Sequence, residues 1–392
     1  MKVICTKADL SRGLATVGRA VTTKGTLPIL ANVKLSVEQG RLRLAATNLE
    51  LGIQAWVNAT IEESGSTTLP ARILTDFVNF LPHQEITIAT QEDTHESLVE
   101  SSVSAARIRG IDPAEFPLMP QIDGDPALVL DAMTLKTMVD DIGLAASRDD
   151  DRPALTGIYL EVQEGSPGTL TGAAADAYRL AVENVPLVRE SSPIDLLVPA
   201  KTLKDLASIL PTQGQVAISI TPNRGQVLFH TEGIDLASRL LEGPYVNFRA
   251  MLPDEYQVRA VLETSLLTSV LKTAALFASE SERSVALSFR PQTQTMTAEA
   301  STIDLGTNTS TIPATYLDTS ASEELEILLN VRYVTEALSA LSGIPEVAFE
   351  LRSRSRPAII KPVGKKELLY LIMPMQLRNS PARPASSAAA AS

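Results

Sequence analysis

Apolar positions along this chain change period several times, and the order of those changes recurs. Period-two alternation marks a half-buried strand and runs through Arg41-Leu42-Arg43-Leu44, Gln215-Val216-Ala217-Ile218-Ser219-Ile220 and Leu325-Glu326-Ile327-Leu328. Helical spacing takes over in six windows, 8–21, 72–81, 134–148, 201–210, 265–278 and 331–341. Glu38-Gln39-Gly40 and Asn223-Arg224-Gly225 are turn signals that fold flanking strands into hairpins. Each third of the chain reads as an opening helix, strands, a second helix and further strands. That is the segregated α+β pattern, not the strict alternation that builds a parallel sheet.

The recurrence extends to residue identities. Leu69-Pro70-Ala71-Arg72, with its helix closing at Leu81-Pro82, returns as Val198-Pro199-Ala200-Lys201 closing at Leu210-Pro211. It returns once more, weakened, as Leu329-Asn330-Val331-Arg332 closing at Leu341-Ser342-Gly343. The basic residue moves by 129 positions and then 131, and the opening helices by 125 and 131. A fixed internal period sets the architecture before any motif is read. The 392 residues thus predict three repeated domains, 1–125, 126–254 and 255–377, followed by a disordered Ser/Ala-rich tail, 378–392.

Composition narrows the chemistry. A hydrophobic share of 44% suffices for three cores, and 4% aromatic residues means that Leu, Val, Ile and Ala build them. No apolar run approaches the roughly 18 residues of a membrane span, and residues 1–7 lack the h-region of a signal peptide. With a single cysteine, Cys5, the expected location is the cytoplasm, with no membrane association. His83, His95 and His230 share no metal-ligand spacing, and no phosphate-binding glycine loop, GxSxG or HExxH occurs. Asp149, Asp150 and Asp151 could hold a divalent ion, but adjacent exposed carboxylates are more often solvated. We expect no catalytic residue, no metal and no cofactor. The reading is a binding scaffold, not an enzyme.

A net charge of −12 argues against nucleic acid only if the charge is evenly spread. The six helical windows hold nine basic and six acidic residues, so they oppose the sign of the whole. Either these are ordinary charged outer faces, or the helices share one surface turned to a polyanion. Geometry favours the second. A body of about 125 residues is about 34 Å across, and three in a closed ring leave a hole of about 5 Å. Six leave about 34 Å, enough for duplex DNA. Three domains per chain then require a head-to-tail homodimer. A triplicated protein-binding scaffold that never encircles DNA is the competing reading, and an enzyme built on residues 149–151 is a third.

Particular strings add a family. Thr26-Leu27-Pro28-Ile29-Leu30, Thr47-Asn48-Leu49-Glu50, Thr68-Leu69-Pro70-Ala71-Arg72, Asp176-Ala177-Tyr178-Arg179-Leu180 and Tyr370-Leu371-Ile372-Met373-Pro374-Met375-Gln376-Leu377 resemble the bacterial replicative sliding clamp, the beta subunit of DNA polymerase III. The resemblance runs in order from residue 1 to Leu377. It implies three clamp domains, each with two helices lining the inside and antiparallel sheets outside. These close as a six-domain, head-to-tail homodimer ring around duplex DNA, without sequence preference. It further implies a clamp loader that opens the ring, a tethered replicative polymerase and other proteins bearing short clamp-binding motifs.

Matched position by position, the resemblance implies a partner-peptide pocket of Leu155, Tyr178, Arg179, Leu180, Asn330, Tyr333, Met373, Pro374, Met375 and Leu377. Flexible Met side chains suit an adaptable apolar groove, and Arg and Asn suit orienting contacts. Ala175, Ala177, Tyr178 and Ala250 depart from common family residues, which bears on peptide preference. The DNA-binding candidates are Lys24, Arg72, Arg148, Arg152, Lys201 and Lys204. Pro153-Ala154 replace the family's aromatic pair, removing a stacking contact. At the dimer seam, Ile73 and Phe77 are expected to meet Leu276 and Phe277. Arg107 and Arg109 are expected to face Glu280, Glu282 or Glu299.

Overall fold

The computed structural model describes residues 1–25, 27–82, 85–91, 94–120, 124–253, 255–278, 283–317, 324–364 and 366–375. It holds two compact units: residues 1–174 with 184–245, and residues 175–183 with those from 246 onward. Six α-helices occur among the described residues: α1 (Lys7–Val17), α2 (Ala71–Phe80), α3 (Ala132–Ile142), α4 (Ala200–Ile209), α5 (Thr264–Ala275) and α6 (Val331–Ala340). Each overlaps a predicted window, and α1 packs on α2, α3 on α4 and α5 on α6.

The windows ran too long for α1 and α3. Both stop at a glycine, Gly18 and Gly143, and continue as single 3₁₀ turns, Gly18–Ala20 and Gly143–Ala145. The apolar rhythm persists because Ala20 and Ala145 remain buried. Glycine is a weak helix former, and the α hydrogen-bond ladder ends there. A short strand precedes each opening helix: Lys2–Thr6, Leu128–Asp131 and Val258–Glu263. At the first two junctions the last strand residue caps the helix. Thr6 Oγ1 accepts from the Asp9 N–H at 3.1 Å and Asp131 Oδ1 from the Thr134 N–H at 2.9 Å.

In the first unit, one antiparallel sheet has the order Ala59–Glu63, Lys2–Thr6, Glu85–Gln91, Glu96–Glu100, Ala105–Arg109. A second, of eight strands, joins the first two repeats. Ile234–Arg239 pairs with Leu51–Val57 in the register Ile234↔Ala55 to Ser238↔Leu51. The predicted turn at Gln39-Gly40 links Asn32–Glu38 to Arg41–Thr47, with φ of 51° and 72° at its two corners. Two successive left-handed residues are what a tight two-residue hairpin needs. Helix α1 buries Leu10, Leu14 and Val17 on one stripe. Gly13 lies on that stripe, where a Cβ would come within 2.6 Å of Val57 and 2.8 Å of Leu44. Its missing side chain lets the helix settle on the sheet.

In the second unit, a four-stranded sheet has the order Gly306–Pro313, Thr295–Thr302, Ser284–Arg290, Leu325–Asn330. A further run places Leu368–Ile372 between Arg179–Pro186 and Ala358–Pro362. Phe289 and Phe349, both fully buried, pack with centroids 5.7 Å apart in this unit's core. Among the described residues, no helix is long and apolar enough to cross a membrane.

Candidate functional site

The thrice-repeated motif is a strand-to-helix junction. Pro70, Pro199 and Asn330 are the N-cap residues of α2, α4 and α6, so Arg72, Lys201 and Arg332 each occupy the second helical position. A cation there meets the positive end of the helix dipole, at a cost of about 0.3–1 kcal/mol. Acids one turn on offset this in two cases. Arg72 lies 3.8 Å from Asp76, and Arg332 Nε donates to Glu336 at 2.7 Å. Lys201 is exposed and has no ion pair among the described residues. The helix dipole therefore disfavours Lys201 without a compensating ion pair, whereas ion pairs offset that cost at Arg72 and Arg332.

Five of the predicted pocket residues converge in the second unit. The side chain of Arg179, only 11% exposed, donates through Nε to Asp176 at 3.0 Å and through Nη1 to Glu336. Its guanidinium lies 4.5 Å from the centroid of Tyr333, and the Tyr333 ring stacks on Tyr178 at 6.4 Å. The Met373 N–H donates to the Tyr178 carbonyl and the Met375 N–H to the Leu328 carbonyl, both at 2.8 Å. Tyr178 is 61% and Met373 38% exposed. The result is a polar clamp that fixes two aromatic rings beside an accessible Met-Pro-Met segment. Such a surface accepts apolar side chains. Burial, followed by the nearby Asp176 charge, raises the Tyr333 hydroxyl pKa. Partial burial pushes the Glu336 carboxyl up, but hydrogen bonds from Arg332 and Arg179 prevail and hold it below its usual range.

The remaining pocket residues are placed differently. Leu180 is fully buried beneath the cluster, opposite Leu371. Asn330 Oδ1 accepts from the Arg332 N–H at 3.0 Å, which makes Asn330 the N-cap of α6. Leu155 is buried in the first unit, in the 3₁₀ turn Pro153–Thr156. Leu377 and the tail lie outside the described residues. Sequence reading missed Asp176 and Glu336 as the anchors of Arg179. The first was legible as a neighbour three positions away. The second needed the fold, since 157 residues separate the partners.

The DNA candidates Lys24, Arg72, Arg148, Arg152, Lys201 and Lys204 are all exposed in the first unit. Arg148 and Arg152 flank three exposed carboxylates in one loop closed by Ser147 and Leu155. That loop therefore bears −1 net charge. Arg19 and Arg148 fall outside the α-helices, whereas Lys7 falls inside, so the helices proper hold eight basic and six acidic residues. The basic surplus drops from three to two. Arg19 is also tied to Asp205 of α4 at 3.2 Å.

Of the seam candidates, Ile73 and Leu276 are 58% and 70% exposed, and Phe77 and Phe277 are half-buried. Within the chain Arg107 and Arg109 both lean on Glu96, at 3.3 and 3.9 Å. Glu280 and Glu282 lie outside the described residues, and Glu299 sits on the inner strand Thr295–Thr302.

Comparison with known proteins covers nearly all of the chain. Family models for the DNA polymerase III beta subunit match in order: N-terminal domain at residues 1–120, central domain at 129–247 and C-terminal domain at 249–376. The beta sliding clamp of Synechococcus elongatus is 33% identical over 385 residues, covering 97% of this chain and 100% of the relative. That of Synechocystis sp. is 31% identical over 399 residues, with the same coverage. The crystal structure of the DNA polymerase sliding clamp from Bacillus subtilis superposes with a TM-score of 0.89 at 27% identity, covering 96% of this chain and 99% of that one. The DNA polymerase III subunit beta from Pseudomonas aeruginosa gives 0.86 at 26%, covering 96% and 100%. Through all three of its repeats, this chain belongs to the DNA polymerase III beta subunit family.

Proposed function

We propose that the chain is a DNA sliding clamp that confers processivity on a replicative polymerase by topology rather than by catalysis. The observation that carries this reading is the ordered match of all three family domains along one chain. Two copies close head to tail around duplex DNA and slide because they read phosphates, not bases. Lys24, Arg72, Arg148, Arg152, Lys201 and Lys204 face the duplex. The repeated cation at the second position of α2 and α4 supports that assignment, because it disfavours the helix it sits on.

Two exposed edges support the closure. Ala105–Arg109 is the last strand of its sheet and Gly306–Pro313 the last of another. Unpaired edges invite strand addition. In the dimer, Ala105–Arg109 of one copy lies along Gly306–Pro313 of its partner, with Ile73 and Phe77 against the partner's Leu276 and Phe277. The groove at Tyr178, Arg179, Tyr333, Met373 and Pro374 takes short apolar motifs of the polymerase, the clamp loader and other replication or repair proteins. Loading the protein onto nicked circular DNA tests the central claim. Retention through a high-salt wash and release on linearisation are expected. Retention on linear DNA would defeat topological binding and leave the non-encircling scaffold.

A further inference from the structure

Three arginines in five residues, Arg352, Arg354 and Arg356, occupy the turn between Glu346–Leu351 and Ala358–Pro362. The turn is tight. The Arg356 N–H donates to the Ser353 carbonyl at 3.2 Å, and the Ser353 and Ser355 hydroxyls lie 3.3 Å apart. All three arginines are exposed, and none forms an ion pair among the described residues. The nearest acid in sequence, Glu350, is buried and already engaged by Arg259 at 3.6 Å and Lys361 at 2.7 Å. Three unmatched cations in one turn stand out in a chain of net charge −12.

Strand register sets what lies beside them. Ala358 pairs with Ile372, and Ile372 pairs on its other side with Arg179. These strands are antiparallel, so the residues before Ala358 and those after Ile372 leave the sheet at the same end. Arg356 and Pro357 therefore leave the sheet on the same side as Met373 and Pro374. Arg179 is matched by Asp176 and Glu336 and Arg332 by Glu336, whereas the three arginines of the turn are unmatched among the described residues.

We infer that the arginine turn recognises acidic residues flanking the apolar anchor of a bound partner peptide. This rests on the groove reading proposed above. The guanidinium fork takes a carboxylate in bidentate fashion and keeps its charge at every physiological pH. Exposed pairs are individually weak and salt-screened, so the three together contribute about tenfold in affinity at low ionic strength. Duplex DNA is the rival polyanion. Exit from the sheet on the same side as the Met373-Pro374 segment favours the peptide.

Fluorescence anisotropy on the full-length protein tests this with two synthetic peptides. They share one Leu/Phe anchor and carry either three Glu or three Gln beside it. The Glu peptide is expected to bind about tenfold tighter at low salt, with the advantage shrinking at physiological salt. The R352Q/R354Q/R356Q variant should lose that advantage yet bind the Gln peptide as wild type does, which also shows that it is folded. Equal affinity of the wild type for both peptides overturns the inference alone, as does an advantage that survives the triple substitution. Weakened duplex binding with the peptide preference intact assigns the turn to DNA and also overturns it. If neither peptide binds, or Tyr333→Ala leaves both affinities unchanged, the groove reading fails and this inference falls with it.

Discussion

Arg179 links two carboxylates and an aromatic ring, and its removal has a calculable consequence. Arg179→Met keeps the apolar stem but deletes the hydrogen bonds to Asp176 and Glu336 and the contact with Tyr333 at 4.5 Å. Hydrogen bonds to charged groups contribute about 1.5–3 kcal/mol each, and a cation over a ring about 0.5–2. Those values need discounting. The Glu336 side chain is 30% exposed and keeps Arg332 at 2.7 Å, so water and a second cation relieve the loss. The net expectation is about 2–3 kcal/mol of local destabilisation. Glu336→Gln alone should cost about 1 kcal/mol, and the double variant less than the sum, with a coupling of about 1–1.5 kcal/mol. Native-state hydrogen exchange of amides in Arg179–Pro186 and α6 reads that local opening directly. It avoids the assumption that a chain of two units unfolds in one step. Coupling within about 0.3 kcal/mol of zero would refute the clamp role assigned to Arg179.

Other outcomes follow from single features. A Cβ on Gly110 would lie 1.8 Å from the Thr68 carbonyl oxygen, so Gly110→Ala must displace the adjoining strand Ala105–Arg109. Thermal melting should fall by several degrees, and a wild-type melting temperature would show that the backbone yields freely. Leu276→Glu combined with Ile73→Glu should reduce the particle from twice the 42.0 kDa chain mass to that mass in sedimentation. An unchanged dimer would move the seam elsewhere. Glu336 has a folded pKa below the ordinary 4.5, so its stabilising contribution is complete above that pH and is lost as pH falls through the lower folded value. Exchange protection of α6 should decline in that acidic window, and Glu336→Gln should flatten the decline. Burial, followed by the nearby Asp9 charge, pushes the Cys5 thiol up to about 12. Alkylation at pH 8 should therefore require denaturant, and rapid labelling of the folded protein would contradict its buried position.

The period-two and helical patterns, the tandem motif and the hairpin turn at Gln39-Gly40 were readable because they depend on neighbours within a few residues. A helix stripe such as Leu10, Leu14 and Val17 states its own burial. So does the alternation that sends Val285, Leu287 and Phe289 into the core. The internal period determined three α+β repeats, and the terminal Met-Pro-Met string pointed to the family. Helix ends were overrun at Gly18 and Gly143, where burial outlasts α geometry. What only the tertiary structure decided was long-range pairing. Ile372 is seated between Ala358 and Arg179, Glu336 lies against Arg179, and Leu51–Val57 pairs with Ile234–Arg239 to run one sheet through two repeats. Hydropathy specifies which face of a strand is buried but not which strand lies beside it. That choice depends on packing summed over the whole unit, so the groove and its basic flank emerged only when distant segments met.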